Sequence, residues 1–207
     1  MRREKTLLST YIQGNGANPK ITVGFLGFGR VARKVAELLQ PWKVKIIAYS
    51  PSVSVESMIE AKVEAVSLDI LLKESDVLSL HTALTPEKRH IIGEAQLKMM
   101  KKNAYIVNTA RGALIDTEAL VKALRKKWIS GAALDTFEKE PLPLDSQLLT
   151  QSNTILSGHV AAYNNNTNLM EESIELGTAN VLKALRGEIP QNIINPNVIP
   201  KWIKRFT

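Results

Sequence analysis

The chain has 207 residues, of which 44% are hydrophobic and 23% are charged, a composition that can bury one sizeable core but leaves no comfortable room for a second full domain. It has no cysteine, which excludes disulfides, thiolate nucleophiles and cysteine-ligated zinc, and with only three histidines, His81, His90 and His159, we expect no metal site. The net charge of +7 arises from scattered basic pairs without interleaved aromatic residues, and no apolar run reaches the length of a membrane span, so we expect neither a nucleic-acid nor a membrane partner.

The N-terminal residues 1–18 are predicted to form a short helix followed by a linker rich in Gly, Asn and Pro. They lack the continuous apolar core of a secretory signal, and we therefore expect a cytoplasmic protein.

From residue 21 onward, short β-branched runs alternate with helical patterns. Strands are predicted at residues 21–27, 44–49, 76–80, 104–109, 131–137 and 153–158. This alternation is typical of a parallel sheet with crossover helices, and strands that are apolar nearly throughout indicate helices on both faces. We expect an α/β fold built on a doubly wound parallel sheet of the Rossmann type.

Several helix ends can be predicted from single residues. Pro41 is expected to stop the first helix, which spans residues 30–40. Thr85 before Pro86 predicts an N-cap, and Asp116 predicts a second cap before a helix whose apolar stripe is formed by Ala119, Leu120, Ala123 and Leu124. A long amphipathic helix is predicted over residues 168–186, closed by Gly187, and an extended tail without periodicity follows it.

A glycine-rich turn joins the first predicted strand to the first predicted helix. Gly27, Gly29 and Ala32 have the G-x-G-x-x-G/A spacing of a dinucleotide-binding turn. Gly27 permits the tight turn, Gly29 lets the backbone approach a pyrophosphate, and Ala32 lets the helix pack closely on the strand. The turn therefore predicts a bound dinucleotide at the helix N-terminus, whereas the alternative is a pair of glycines that only punctuate the turn.

Ser50 occupies the end of the second predicted strand, where an Asp or Glu normally binds both ribose hydroxyls of NAD. A serine makes a single hydrogen bond and does not repel a 2′-phosphate, and no adjacent arginine attracts one. We therefore expect NAD as the cofactor, with NADP permitted and not demanded.

Four downstream segments occur in a characteristic order: "SLHTALTPEKRHIIG", "MKKNAYIVNTARGALIDTEALVKAL", "GAALDTFEKEPLP" and "NTILSGHVAAY". Together they closely resemble the D-2-hydroxyacid dehydrogenase family, which includes 3-phosphoglycerate dehydrogenases and glyoxylate/hydroxypyruvate reductases. The resemblance implies hydride transfer between a nicotinamide cofactor and a small 2-hydroxy or 2-keto acid.

The resemblance also implies a catalytic trio of Arg111, Glu140 and His159. Reduction of a keto acid needs a proton at the carbonyl oxygen, which a histidine can supply, while a neighbouring carboxylate favours the imidazolium and orients its ring. An arginine suits the substrate carboxylate and the charge that develops on the carbonyl oxygen. Glu138 competes with Glu140 for the carboxylate role, and we choose Glu140 because the family glutamate directly precedes the proline.

The remaining residues implied by the resemblance contact the cofactor, with Asp135 at the nicotinamide carboxamide. The full set of expected cofactor-binding residues is Gly27, Gly29, Arg30, Val31, Ser50, Thr82, Thr109, Ala110, Asp135 and His159. His90 is expected to be structural, and His81 to be structural or at the cofactor's edge. Two departures from the family stand out: Gly158 and Ala83 replace residues that are usually prolines, so the loop before His159 is expected to be looser.

Members of the family carry an N-terminal segment of a substrate domain that this sequence does not contain. We expect a linker over residues 1–18, a dinucleotide-binding domain over 19–163, and a C-terminal helix and tail over 164–207 that belong to the otherwise absent substrate domain. The expected protein is a truncated, weakly active dehydrogenase that forms a homodimer, because the family pairs through its cofactor domains and the unpartnered apolar surface of the last helix adds a driving force. The alternative is a non-catalytic NAD(H)-binding regulatory or interaction protein.

Overall fold

Parallel strands and crossover helices alternate along residues 21–161. In the computed structural model, which describes residues 21–161 and 167–206, seven strands form one parallel sheet in the order β3-β2-β1-β4-β5-β6-β7. The strands are β1 (Thr22–Leu26), β2 (Lys45–Tyr49), β3 (Glu64–Ala65), β4 (Val77–Leu80), β5 (Tyr105–Asn108), β6 (Gly131–Leu134) and β7 (Thr154–Leu156). The predicted α/β, doubly wound fold is confirmed.

The order of the strands reverses beside β1, which pairs with β2 on one side and with β4 on the other. Loops that leave the carboxyl ends of β1 and β4 therefore diverge and open a crevice, the usual ligand position in such sheets. All five residues of β1 are buried. Two consecutive residues of β1, Phe25 and Leu26, belong to different core clusters, because successive side chains of a strand point to opposite faces.

Helices cover these faces, and three of them begin at a short polar N-cap residue, which is Ser54, Ser67 or Asp116. They are α1 (Arg30–Leu39), α2 (Val55–Glu60), α3 (Leu68–Glu74), α4 (Glu94–Met99) and α5 (Thr117–Arg125), with 3₁₀ turns at Gln40–Trp42, Pro86–Lys88, Gly112–Leu114 and Gln147–Thr150. The carboxylate of Asp116 accepts from the N–H of Ala119, which confirms this predicted cap. Thr85 also occupies an N-cap position, but its side chain makes no capping bond, and only a 3₁₀ turn follows.

Two expectations about the sheet need correction. The sixth strand ends at Leu134, not at residue 137, so Asp135 and the residues after it leave the sheet and form a loop at its edge. One face near β5 and β7 is also incompletely covered by the described residues. There Tyr105 is 41% and Ile155 is 60% exposed, and both line an open apolar cavity of 590 Å³.

The described residues after 161 form a second compact unit. The helix α6 (Thr167–Leu185) ends before Gly187, whose φ of +75° is the left-handed conformation that closes helices. The tail is not extended as predicted: a 3₁₀ turn at Pro196–Val198 leads into α7 (Ile199–Ile203), and the ring of Trp202 packs 5.0 Å from that of Phe206. The predicted helix and linker over residues 1–18 lie outside the described residues. None of the described helices is both long and apolar enough to span a bilayer.

Candidate active site

The predicted site residues follow the carboxyl ends of six different strands. Gly27, Ser50, Thr82, Arg111, Asp135 and His159 come after β1, β2, β4, β5, β6 and β7, respectively. Because all strands are parallel, these ends meet at one edge of the sheet, on both sides of the β1–β4 crevice.

The residue at position 27 must be a glycine, because the backbone of the loop after β4 approaches it closely. Its φ is +92°, its N–H donates to the carbonyl of Tyr49 at 2.8 Å, and a Cβ added to it would lie 2.7 Å from the backbone nitrogen of Thr82. No L side chain fits this space without displacing the β4 loop. Two residues predicted from separate segments, Gly27 and Thr82, are thus brought into contact.

Gly29 meets different surroundings, since no atom lies within 4 Å of a Cβ added there. It is the N-cap of α1, where no side chain caps the helix and the first turn holds no acidic residue. Arg30 and Val31 in this turn are exposed, whereas Ala32 is buried against the sheet. Open space in front of an uncapped helix N-terminus beside a cation fits the pyrophosphate of a dinucleotide.

Ser50 lies at the end of β2 and is half-buried. No carboxylate accompanies it in the segment from Ser50 to the N-cap residue Ser54. The guanidinium of Arg33 is already engaged, because it donates to the hydroxyl of Ser57 at 2.8 Å and lies over the ring of Phe28. A ribose bound at this strand end would therefore meet neither the usual carboxylate in this segment nor an Arg33 guanidinium that is free to bind it.

Arg111 leaves β5 on a turn that a buried amide organises. The side chain of Asn108 donates to the carbonyl of Arg111 at 2.8 Å and accepts from the N–H of Ala110 at 3.0 Å. Thr109 and Arg111 are exposed on this turn. Gly112 allows the turn to pack against the next loop, since a Cβ there would overlap the backbone carbonyl of Phe137.

His159 and Glu140 form an ion-pair geometry, with Nδ1 of the histidine 2.9 Å from Oε2 of the glutamate. The other oxygen of Glu140 accepts from the N–H of Phe137 at 2.9 Å. The bond to His159, this N–H and the charge of Arg111 hold the pKa of Glu140 below its usual value. The carboxylate therefore only accepts, so Nδ1 carries the hydrogen and Nε2 is the ring atom left for proton exchange. His159 itself has a φ of +58° and a half-exposed side chain.

Asp135 holds the loop that carries His159. Its carboxylate accepts from the hydroxyl of Ser157 at 2.6 Å and from the N–H groups of Val160 and Ala161, each at 2.9 Å. Burial alone would raise the pKa of Asp135, but these hydrogen bonds outweigh burial and lower it. The predicted contact with the nicotinamide carboxamide stays a prediction, because the three bonds seen here are all to the protein.

The other two histidines contact neither Glu140 nor Asp135. His90 pairs with Glu138, the glutamate that competes with Glu140 in the sequence. The ring of His81 packs edge-on against Phe25 and lies 2.9 Å from the hydroxyl of Ser79, and burial lowers its pKa.

Sequence reasoning missed two residues that shape the site, Asn108 and Ser157. Asn108 is completely buried at the end of β5, and a polar residue at a buried strand end is a signal that could have identified it. Ser157 has no such signal, because its partner Asp135 is 22 residues away in the chain.

Comparisons with known proteins give a consistent result. Residues 7–161 match the family described as D-isomer specific 2-hydroxyacid dehydrogenase, NAD binding domain. A glyoxylate reductase from Aeropyrum pernix is 44% identical over 178 residues, which cover 86% of this chain and 52% of that protein. A D-3-phosphoglycerate dehydrogenase from Methanocaldococcus jannaschii is 41% identical over 181 residues, covering 87% of this chain and 34% of that protein.

A solved structure agrees with these relatives. The NAD-complexed form of a D-isomer specific 2-hydroxyacid dehydrogenase from Lactobacillus delbrueckii ssp. bulgaricus has a TM-score of 0.75 and 34% identity, covering 84% of this chain and 56% of that chain. The present chain spans about half the length of the glyoxylate reductases that it matches.

Proposed function

The chain belongs to the D-isomer specific 2-hydroxyacid dehydrogenase family, as its motifs predict, and residues 7–161 are its NAD-binding domain; from this premise we propose that it serves an oxidoreductase that interconverts a small 2-keto acid and its D-2-hydroxy acid. The observation that carries the proposal is the 2.9 Å contact between His159 and Glu140 at the sheet edge where the dinucleotide turn lies. A domain that only binds NAD does not need a histidine paired to a carboxylate at this position.

His159 acts as the proton donor in the proposed reaction. Nicotinamide, when bound, supplies the hydride that adds to the carbonyl carbon of the keto acid. Nε2 of His159 gives its proton to the carbonyl oxygen, and in the reverse direction it takes that proton back. Glu140 fixes the ring by accepting from Nδ1, which keeps Nε2 as the exchanging atom.

Arg111 binds the acid group of the substrate in this proposal. Its guanidinium is permanently charged and can donate two parallel hydrogen bonds to a carboxylate. It also stabilises the negative charge that develops on the carbonyl oxygen before protonation. Arg111 is exposed on its turn, and its charge is one of the causes that lower the pKa of Glu140, so it lies near the pair of Glu140 and His159.

The cofactor would be held by the predicted set of residues. Gly29 and the uncapped N-terminus of α1, with Arg30 and Val31, would bind the pyrophosphate, and Ser50 would bind the adenosine ribose. The turn residues Thr109 and Ala110, with Thr82 and Asp135, are the proposed contacts nearer the nicotinamide. Ser50 leaves NADP permitted beside NAD.

We propose a short 2-keto acid such as glyoxylate as the substrate, since curated relatives carry the name glyoxylate reductase. We propose a homodimer, and a C-terminal unit that works with the substrate-binding part of the whole protein. The cytoplasmic location expected from the sequence stays a prediction.

The test is a titration of the purified chain with NADH and, separately, NADPH, followed by energy transfer from its tryptophans to the reduced nicotinamide. Oxidation of NADH at 340 nm with glyoxylate or hydroxypyruvate is then measured. Saturable binding with turnover supports the proposal and ranks the two cofactors. Binding without turnover of any 2-keto acid supports instead the non-catalytic, NAD(H)-binding alternative, and no binding of either cofactor contradicts both.

A further inference from the structure

The loop from Asp135 to Pro141 carries two glutamates, and each contacts a different histidine. Glu140 contacts His159, as described above. Glu138, two residues earlier, lies 2.6 Å from Nε2 of His90. The proposed reaction uses the first pair and leaves the second without a role.

Glu138 is anchored from three directions. Its Oε1 accepts from Nη2 of Arg89 at 2.7 Å and contacts Nε2 of His90, while its Oε2 accepts from the N–H of Thr117 at 3.3 Å. Its side chain is 22% exposed, against 38% for that of Glu140. Burial alone would raise the pKa of Glu138, but the bonds from His90 and Thr117 outweigh it and lower the pKa. We call Glu138 and these partners the Glu138 clamp.

The clamp joins the loop that carries Arg111 to the loop that carries Glu140. The N–H of His90 donates to the carbonyl of Ala113 at 2.8 Å, so the segment that contains Arg89 and His90 is hydrogen-bonded to the turn after Arg111. That turn touches the other loop directly, because Gly112 has no room for a Cβ beside Phe137. The N–H of Phe137 in turn orients the carboxylate of Glu140.

We propose that Glu138 is a positioning residue that holds Glu140 against His159. It does so by anchoring the loop that contains both glutamates to Arg89, His90 and the N-terminus of α5. This inference rests on the proposed function, since it assigns a role to a residue that supports the same site. Glu138 acts only through Glu140 and touches neither substrate nor cofactor. An isolated structural pair would stabilise the fold without affecting the state of the His159 ring.

The test uses the His159 ring itself as the reporter. The chain has only three histidines, so their ring nitrogens can be assigned in long-range ¹H–¹⁵N spectra of the full chain, and those spectra distinguish the Nδ1–H from the Nε2–H tautomer. We expect neutral His159 to be the Nδ1–H tautomer in the wild type. Glu138→Gln should shift it toward Nε2–H, and Glu140→Gln should shift it fully.

Lys139→Gln is the matched control, because it removes a charge from the same loop and Lys139 has no hydrogen bond or ion pair among the described residues. It should leave the His159 tautomer unchanged. In steady-state assays with NADH and a keto acid, Glu138→Gln should lower kcat about tenfold and leave the KM for NADH nearly unchanged, since a displacement near 1 Å can cost up to about 100-fold.

A folded Glu138→Gln variant with the wild-type tautomer and wild-type turnover would overturn the inference. If this variant does not fold, Arg89→Gln removes one anchor from outside the loop, and the same two readouts decide. Failure of the proposed function is distinguishable, since it means that the wild type turns over no 2-keto acid. The tautomer measurement then decides alone whether Glu138 positions Glu140.

Discussion

A methyl group would meet different surroundings at Gly27 and Gly29, although the two residues lie in the same turn. At Gly27 it would collide with the β4 loop at a φ of +92°, so Gly27→Ala should lower the free energy of unfolding by about 1–3 kcal/mol. At Gly29 it would enter open space, so Gly29→Ala should fold normally but bind NADH at least ~10-fold more weakly, because backbone approach to the pyrophosphate is blocked.

Urea unfolding and NADH titration of both variants separate the two roles, and each glycine is the control for the other. Normal NADH affinity in a folded Gly29→Ala variant would contradict the placement of the pyrophosphate at α1. Wild-type stability of Gly27→Ala would contradict the steric role assigned to the turn.

Replacement of His159 by Gln removes the proposed proton donor but keeps a side chain of similar polarity. We expect kcat for keto-acid reduction to fall about 10²–10⁴-fold, the usual contribution of a general acid, while NADH affinity falls far less. Stopped-flow and steady-state assays at pH 7 measure both quantities. Glu140→Gln should lose less activity, because the ring remains present but is no longer oriented by a carboxylate. Equal kcat in the wild type and His159→Gln would remove His159 from the mechanism.

Residues of the site differ in how readily the sequence predicts them. Gly27 and Gly29 stand in a local pattern whose spacing carries the chemistry, whereas Arg111 is predicted only through the family resemblance. One adjacent proline is the only sequence signal that favours Glu140 over Glu138. Glu140 is the glutamate that contacts His159, and its catalytic role stays a prediction. The hydrogen bond between Ser157 and Asp135 could not be predicted, because its two residues meet only after distant loops have packed.

At the scale of elements, strand and helix order could be predicted because hydrophobic period and caps are local signals. Asp116 begins α5 as expected, since its side chain satisfies an otherwise free N–H. The helix α7 could not be predicted because it has only five residues and two prolines in or beside it, and its ring contact between Trp202 and Phe206 becomes visible only in the folded chain. β3 was missed because two residues carry no periodicity.

Glu94 connects α4 to α5 by bridging two lysines, Lys98 and Lys122, each at 2.6 Å. The hydrogen bonds from Lys122 and Lys98 lower the pKa of Glu94 to about 2, from a usual value of 4.5. Because the folded chain binds fewer protons than the unfolded chain between these values, the contribution of this group to stability is full above pH 4.5 and is lost as pH falls toward 2.

Glu94→Gln should therefore reduce stability at pH 7 and leave it nearly unchanged near pH 2. Urea midpoints measured from pH 7 to pH 2 at low salt test this, and added salt should shrink the difference because the pair is exposed. Glu118→Gln on α5 is the control, since Glu118 forms no ion pair among the described residues. A constant difference between wild type and Glu94→Gln across the whole pH range would rule out the assigned linkage.

At the scale of the whole molecule, the site is assembled from six strand ends that are far apart in the sequence. A parallel sheet makes this assembly predictable in outline, because it brings all carboxyl ends to one edge. Coverage of the sheet was less predictable. Apolar strands indicated helices on both faces, yet Tyr105 and Ile155 are exposed among the described residues. A strand sequence reports that a face is apolar, but it does not report which element covers that face.

Exposed apolar residues on α6 lead to a prediction about association. Ile174, Val181 and Leu185 are 61%, 59% and 73% exposed, and their spacing places them along one stripe of the helix. Burying such a stripe is favourable, so we expect the chain to form dimers at micromolar concentration. In sedimentation velocity experiments, Val181→Glu combined with Leu185→Glu should shift the population toward monomer. Leu144→Glu, at an isolated and 96% exposed position, should not. A wild-type chain that stays monomeric at every concentration would exclude the proposed homodimer, and dimers that persist in the double variant would move the interface away from α6.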